Sequence, residues 1–216
     1  VQDLLNLYVK RHDFFRAPFL PDVEIESDFL SGFPYKDTSD QVSAWNDISC
    51  DLSSNSPMDR LLCGDVGFGK TELAMRAAFK VAEAGSQVAV LAPTTILAEQ
   101  HLRTFTERFA EYPFTIRCLS RLTATREERE TLEGIARGTV DIVVGTHRLA
   151  QADIHFDNLG LLVVDEEQRF GVKHKETIKK MTPNVDIISV SATPIPRTLY
   201  TALTGAKDLS NINTPP

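Results

Sequence analysis

Gly64, Gly69, Lys70 and Thr71 are the residues whose types and spacing point most directly to chemistry. They fit the pattern G-x-x-x-x-G-K-[ST] inside the stretch LLCGDVGFGKT (61–71), with Gly67 as an extra glycine. Consecutive backbone N–H groups can wrap an anionic phosphate only where side chains leave the approach open, so such a loop is glycine-rich. Asp65, Val66, Gly67 and Phe68 therefore join the flanking glycines as the expected nucleotide-binding loop. Lys70 supplies a point charge toward the β- and γ-phosphates, and the Thr71 hydroxyl can ligate Mg²⁺. A helix starting there adds its positive N-terminal pole. An incidental glycine-rich turn would not be framed by apolar Leu61-Leu62-Cys63 before it and a helical Leu73, Ala74, Ala77, Ala78, Val81 face after it.

A phosphate loop serves many kinases, GTPases and ATPases, and residues 161–168, LLVVDEEQ, narrow the choice. An apolar strand ending in Asp165 matches the carboxylate that holds Mg²⁺ opposite the loop. Glu166 is suited to orient or deprotonate the attacking water, because a carboxylate can accept its proton while the metal stabilises the phosphoryl charge. An N-K-x-D pattern for guanine is absent, which disfavours a GTPase. Three further runs follow apolar strands: Pro93-Thr94-Thr95, Gly145-Thr146-His147-Arg148 and Ser191-Ala192-Thr193-Pro194. Each also reads as an ordinary turn capped by Ser or Thr. His147 has no spaced ligand partner, so no metal role is expected for it.

Groups so far apart in the chain need a frame that gathers several loops. Strands are expected at 87–92, 115–119, 141–145, 161–164 and 186–190, the last of them, with helices between. Apolar runs without alternation, separated by helices, indicate a parallel sheet covered on both faces. Gly85 is a helix stop, and Thr38…Gln41 and Thr125…Glu128 have capping-box spacing. For Thr38 and Gln41 the box is a complete local explanation. Val1, Leu4, Leu5 and Tyr8 suggest a short amphipathic helix, and the stretch 18–28, with its prolines and acids, an irregular acidic connector.

At 216 residues the chain suits one large α/β domain, or one domain with an appendage. No apolar run reaches membrane-spanning length and no signal segment opens the chain, so a membrane or secreted protein is not expected. Cys50, Cys63 and Cys118 lack metal spacing and read as reduced thiols of a cytoplasmic protein. The start without Met and the Pro215-Pro216 end suggest a piece of something longer. Net charge is −7, but residues 1–60 hold 11 acids and 5 bases, so the acidity sits in the N-terminal arm. Bases cluster at Arg117, Arg121, Arg126 and Arg129 and at Arg169, Lys173, Lys175, Lys179 and Lys180. Overall charge therefore decides nothing about DNA.

GDVGFGKTE, DEEQRFGV and SATPIPRTL together resemble the first motor domain of bacterial transcription-repair coupling factors, superfamily 2 helicases; RecG branch-migration helicases are similar. The similarity spans nearly the whole chain, including FPYKDTSDQ (33–41). RecG departs in usually carrying Ser where Phe68 stands and Gln where Glu167 stands. The resemblance implies a RecA-like phosphate-loop domain over residues 31–216, an N-terminal helix and connector over 1–30, and ATP with Mg²⁺ as cofactors. It implies double-stranded DNA, RNA polymerase and the nucleotide excision repair machinery as partners of the whole protein. Gln41 would read the adenine edge, and Phe33 or Tyr35 would pack near the base. Pro93, Thr94, Thr95, Gly145, Thr146, His147 and Arg148 would meet the DNA backbone. Gln168, Ser191 and Thr193 would couple the nucleotide site to DNA movement; Gln168 departs from the His usual in both families. Superfamily 2 motors hydrolyse ATP between two RecA-like domains, and no room remains after Thr193 for a second. The chain is thus expected to be a nucleotide-binding half-motor, with fork reversal or a binding module without turnover as alternatives.

Overall fold

A computed structural model describes residues 14–170, 184–192 and 208–215. Its strands are β1 (Asp59–Gly64), β2 (Gln87–Leu91), β3 (Ile116–Leu119), β4 (Ile142–Gly145), β5 (Leu159–Asp165), β6 (Asp186–Ser191) and β7 (Asp208–Ile212). They form one sheet in the order β3-β4-β2-β5-β6-β1-β7, and every pairing is parallel. The doubly covered parallel sheet expected from the apolar runs is present. In β2, Val88 and Val90 join one core cluster and Ala89 and Leu91 the other, so a strand buried on both sides needs no polar alternation.

The first cluster lies under α1 (Val23–Ser31), α2 (Ser39–Leu52), α3 (Lys70–Glu83) and α4 (Thr95–Arg108), and the second under α5 (Thr125–Ala136). Helix α3 follows the phosphate loop and is almost wholly buried, its Ala74, Ala77, Ala78 and Ala82 being small enough for close packing. Phe79 from α3 stacks on Phe29 from α1 with ring centroids 4.0 Å apart, and Phe109 lies 5.0 Å from Phe29. This aromatic cluster fixes where α1 and the end of α4 sit against the phosphate-loop helix.

Three expectations need correction. Much of the connector is helix α1: the Asp22 carboxylate accepts from the Glu24 and Ile25 N–H groups, and Glu24 and Glu26 suit the positive first turn. Thr125 and Glu128 form no capping box; Ala124 is the cap without a side-chain bond, and Glu128 instead accepts from Arg148 Nε at 2.8 Å. A strand follows 186–190: β7 pairs with β1 from Arg60↔Asp208 to Gly64↔Ile212. The sequence DLSNI hides it because this outermost strand buries only Ser210 and Ile212. By contrast, Thr38 and Gln41 make both halves of their capping box, and Gly85 follows α3 at a φ of +81°. The helix expected at residues 1–10 lies outside the described residues.

The entering chain is fastened to the sheet by Arg16. Its Nη2 donates to Asp186 Oδ1 at 2.9 Å, its Nη1 to the Leu52 and Ser54 carbonyls, and Asp186 also accepts from the Met58 N–H. Among the described residues no helix is long and apolar enough to cross a membrane.

Candidate functional site

Because all seven strands run the same way, the turns after β1, β2, β4 and β5 open at one edge of the sheet, where parallel α/β folds bind ligands. The turn after β1 is the glycine-rich loop. Gly67 and Gly69 adopt φ values of +85° and +79°. At Gly69 a Cβ would lie 2.3 Å from Gln41 Nε2, so a side chain there would displace the Gln41 amide, while the positive φ is what calls for glycine. Gln41 is buried at 3% exposure. Its Oε1 accepts from the Thr38 N–H at 2.8 Å, while its Nε2 donates to the Phe68 carbonyl at 3.0 Å. The helix cap is thus also a strut under the phosphate loop.

Lys70 Nζ donates to the Gly64 and Asp65 carbonyls at 2.6 and 2.7 Å, lying across the loop. Burial pushes its pKa down, while the charges of Asp165, Glu166 and Asp65 oppose that fall. Lys70 and the two acids at the end of β5 therefore share one electrostatic neighbourhood. Thr71 and Asp165 line one small cavity together with His101 and Phe105. His101 Nε2 lies 2.8 Å from Asp165 Oδ2. Among the described residues no cluster of three or more His, Cys, Asp or Glu is arranged for a metal. A hydroxyl and one carboxylate converging beneath a phosphate loop nevertheless suit Mg²⁺, which takes few protein oxygens beside water and phosphate.

Glu166 stands at φ 51°, ψ 49°, and among the described residues no other non-glycine residue has positive φ. A left-handed residue costs about 1–2 kcal/mol outside glycine. The Glu166 N–H donates to the Val190 carbonyl of β6, and the Arg169 N–H donates to the Glu166 carbonyl, which hold the kink in place.

Phe33 is partly buried, with Tyr35 edge-on at 5.5 Å and the Arg76 guanidinium over its ring at 5.1 Å. Arg76 pairs with both oxygens of Asp37 and with Glu72, and Arg108 from α4 pairs with Glu72 and donates to the Phe29 carbonyl. None of these charged residues was singled out from sequence, nor was His101. The i,i+4 spacing of Glu72 and Arg76 was the available signal for that pair. For His101 the sequence carried none.

Of the residues expected to face DNA, Thr94 is exposed, although its hydroxyl also accepts from the Leu97 N–H, and Pro93 and Thr95 are half-buried. Gly145 and Thr146 are buried; a Cβ at Gly145 would meet the Leu119 carbonyl at 2.3 Å, which explains this glycine by packing. His147 is half-buried, and Arg148 is bound by Asp153 and Glu128. Ser191 ends β6 and is buried. Thr193 and the side chain of Gln168 lie outside the described residues, as do Lys173, Lys175, Lys179 and Lys180.

The family model for DEAD/DEAH box helicases matches residues 38–202, from the Thr38 cap through both site motifs. The chain belongs to the DEAD/DEAH box helicase family. The RecA-like fold follows with it. Two curated relatives are the transcription-repair-coupling factors of Bacillus subtilis, 54% identical over 99% of this chain, and Mycobacterium tuberculosis, 51% identical over the same share. The chain spans only 18% and 17% of their lengths. A structure of RecG bound to a three-way DNA junction matches 97% of the chain at a TM-score of 0.79 and 35% identity, with 29% of that chain covered. A hypothetical ATP-dependent RNA helicase from Sulfolobus tokodaii, 18% identical at a TM-score of 0.63 over 89% of this chain and 57% of that one, shares the fold.

Proposed function

We propose that this domain is the ATP-binding half of a bacterial, cytoplasmic double-stranded DNA translocase that displaces stalled RNA polymerase and couples transcription to nucleotide excision repair. The observation that carries the ATPase reading is the convergence of Thr71 and Asp165 on one cavity beside Lys70. The partner reading rests on the likeness to transcription-repair-coupling factors. Residues 31–216 would form the motor domain, with 1–30 as the connector that Arg16 and Phe29 help fasten to it.

In this reading Gly64 to Thr71 cradle the phosphates, and Lys70 exchanges its two carbonyl partners for phosphate oxygens. Thr71 and Asp165 would hold Mg²⁺, which neutralises charge on the transferring phosphoryl group. Glu166 accepts a proton from the attacking water. Phe33, braced by Arg76, offers the base a flat apolar face, and Gln41 retains one N–H and one oxygen lone pair for the adenine edge. Pro93 to Thr95 and the turn 145–148 would approach the DNA backbone, Arg148 bracing its turn through Asp153. Gln168, Ser191 and Thr193 would pass the state of the nucleotide onward.

The test is DNA-stimulated ATPase of the full-length protein. Lys70→Ala should abolish turnover and weaken Mg-nucleotide binding. Glu166→Gln should bind nucleotide normally and lose roughly 10²–10⁴-fold in kcat, the range for a general base. Equal loss of affinity in both variants would show that the roles are wrongly divided. The likeness to RecG, at a TM-score of 0.79, supports a second reading, fork reversal. Regression of a three-way junction without displacement of a stalled polymerase would favour it.

A further inference from the structure

We propose that His101 is a positioning residue of the metal–nucleotide site, holding Asp165 from helix α4 and so tying that carboxylate to the exposed loop at the same helix's N-terminus. This rests on the proposed reading of Asp165 as a Mg²⁺ ligand. His101 Nε2 and Asp165 Oδ2 are 2.8 Å apart, and both side chains are largely buried. An ionised carboxylate only accepts hydrogen bonds, so the imidazole donates through Nε2. That bond restricts rotation of the carboxyl group and occupies Oδ2, so the direction in which Oδ1 faces is set by α4. Groups that hydrogen-bond to metal-ligating side chains typically contribute 10–100-fold in metal affinity or activity.

Helix α4 suits a transmitting role. Its first residue, Thr95, belongs to the Pro93–Thr95 turn, and His101 follows six positions later, about 9 Å along the axis at the α-helical rise. Phe105, one turn beyond His101, lines the cavity it shares with Thr71 and Asp165. At the far end Arg108 is bound to Glu72, on the first turn of the phosphate-loop helix. One stiff element thus touches the proposed DNA loop, the metal carboxylate and the helix that carries Lys70 and Thr71.

The test separates metal positioning from general stability by measuring affinity for a fluorescent ATP analogue in Mg²⁺ and in EDTA. His101→Ala should leave the EDTA affinity within about twofold and lose roughly 10–100-fold of the Mg²⁺-dependent gain. His101→Gln, whose amide nitrogen can reach the same oxygen, should restore most of that gain. If His101→Ala does not fold, His101→Asn, polar but too short to reach, takes its place. An unchanged Mg²⁺ dependence, an equal loss in EDTA, or no rescue by glutamine overturns the proposal. Asp165→Asn serves as the control; if it too leaves the Mg²⁺ dependence unchanged, the metal reading of the site fails before His101 is at issue. In the full-length motor at saturating Mg²⁺, His101→Ala should also reduce the fold-stimulation of ATPase by DNA, and undiminished stimulation would sever the link to the loop.

Discussion

At Gln41 a helix cap and a phosphate loop share one amide, and the two halves respond differently to substitution. Gln41→Glu keeps the oxygen that accepts from Thr38 but sets a second carboxylate oxygen against the Phe68 carbonyl. Both ATP and GTP should therefore bind more weakly, because the strut under the loop is lost. If the remaining amide capacity meets adenine, ATP should lose roughly tenfold more than GTP, about the worth of one hydrogen bond. Competition binding of the two nucleotides measures this, and equal losses would reduce Gln41 to cap and strut. The phosphate loop, Asp165 and Glu166 were legible in sequence because their chemistry demands fixed types at short spacing. His101 was not, since 64 residues separate it from Asp165 and only the fold brings them together. Arg148 was legible as a basic residue in a loop but not as one neutralised by Glu128 and Asp153, because partner choice is a tertiary fact.

Among elements, the strands with continuous apolar runs were read within a residue or two, since burial on both faces leaves a strong compositional mark. Helix α1 and strand β7 escaped for opposite reasons. α1 is short and mostly exposed, held by the Asp22 cap and by Phe29, whereas β7 is an edge strand with little apolar content. The ordering of the segment before α1 depends on the bond between Arg16 and Asp186, with side chains 8% and 0% exposed. Asp186→Ala should destabilise the domain by about 3–5 kcal/mol, because it strands a buried guanidinium and the Met58 N–H. Adding Arg16→Met should recover part of that loss, as removing both charges costs less than removing one. Urea denaturation of the two single variants and the double variant checks this; strict additivity would show that the pair is not coupled.

At the scale of the whole molecule, the proposed motor would close its nucleotide site between two RecA-like domains. A second RecA-like domain of such motors would supply arginine fingers, worth about 10³–10⁵-fold in rate, so the isolated chain should hydrolyse ATP at least ~10³-fold more slowly than the full-length protein. A steady-state assay giving the isolated chain motor-like turnover would contradict this. The fastenings at Arg16 and at Asn213 and Thr214 have a mechanical corollary. Arg16 grips Asp186, the first residue of β6, while the Asn213 and Thr214 N–H groups beyond β7 are held by Asp40 of α2. Tension between these grips divides between α2, whose last residue Leu52 also binds Arg16, and the strands β6, β1 and β7, which are adjacent and in register. It loads their ladder bonds together in shear, not one after another as in peeling. β1, which carries the phosphate loop, lies in the middle of that force path. β2, β4 and β3, with the loop that begins α4, lie beyond β5 and outside it, so traction on the domain would reach the glycine-rich loop after β1 and spare the turns after β2 and β4.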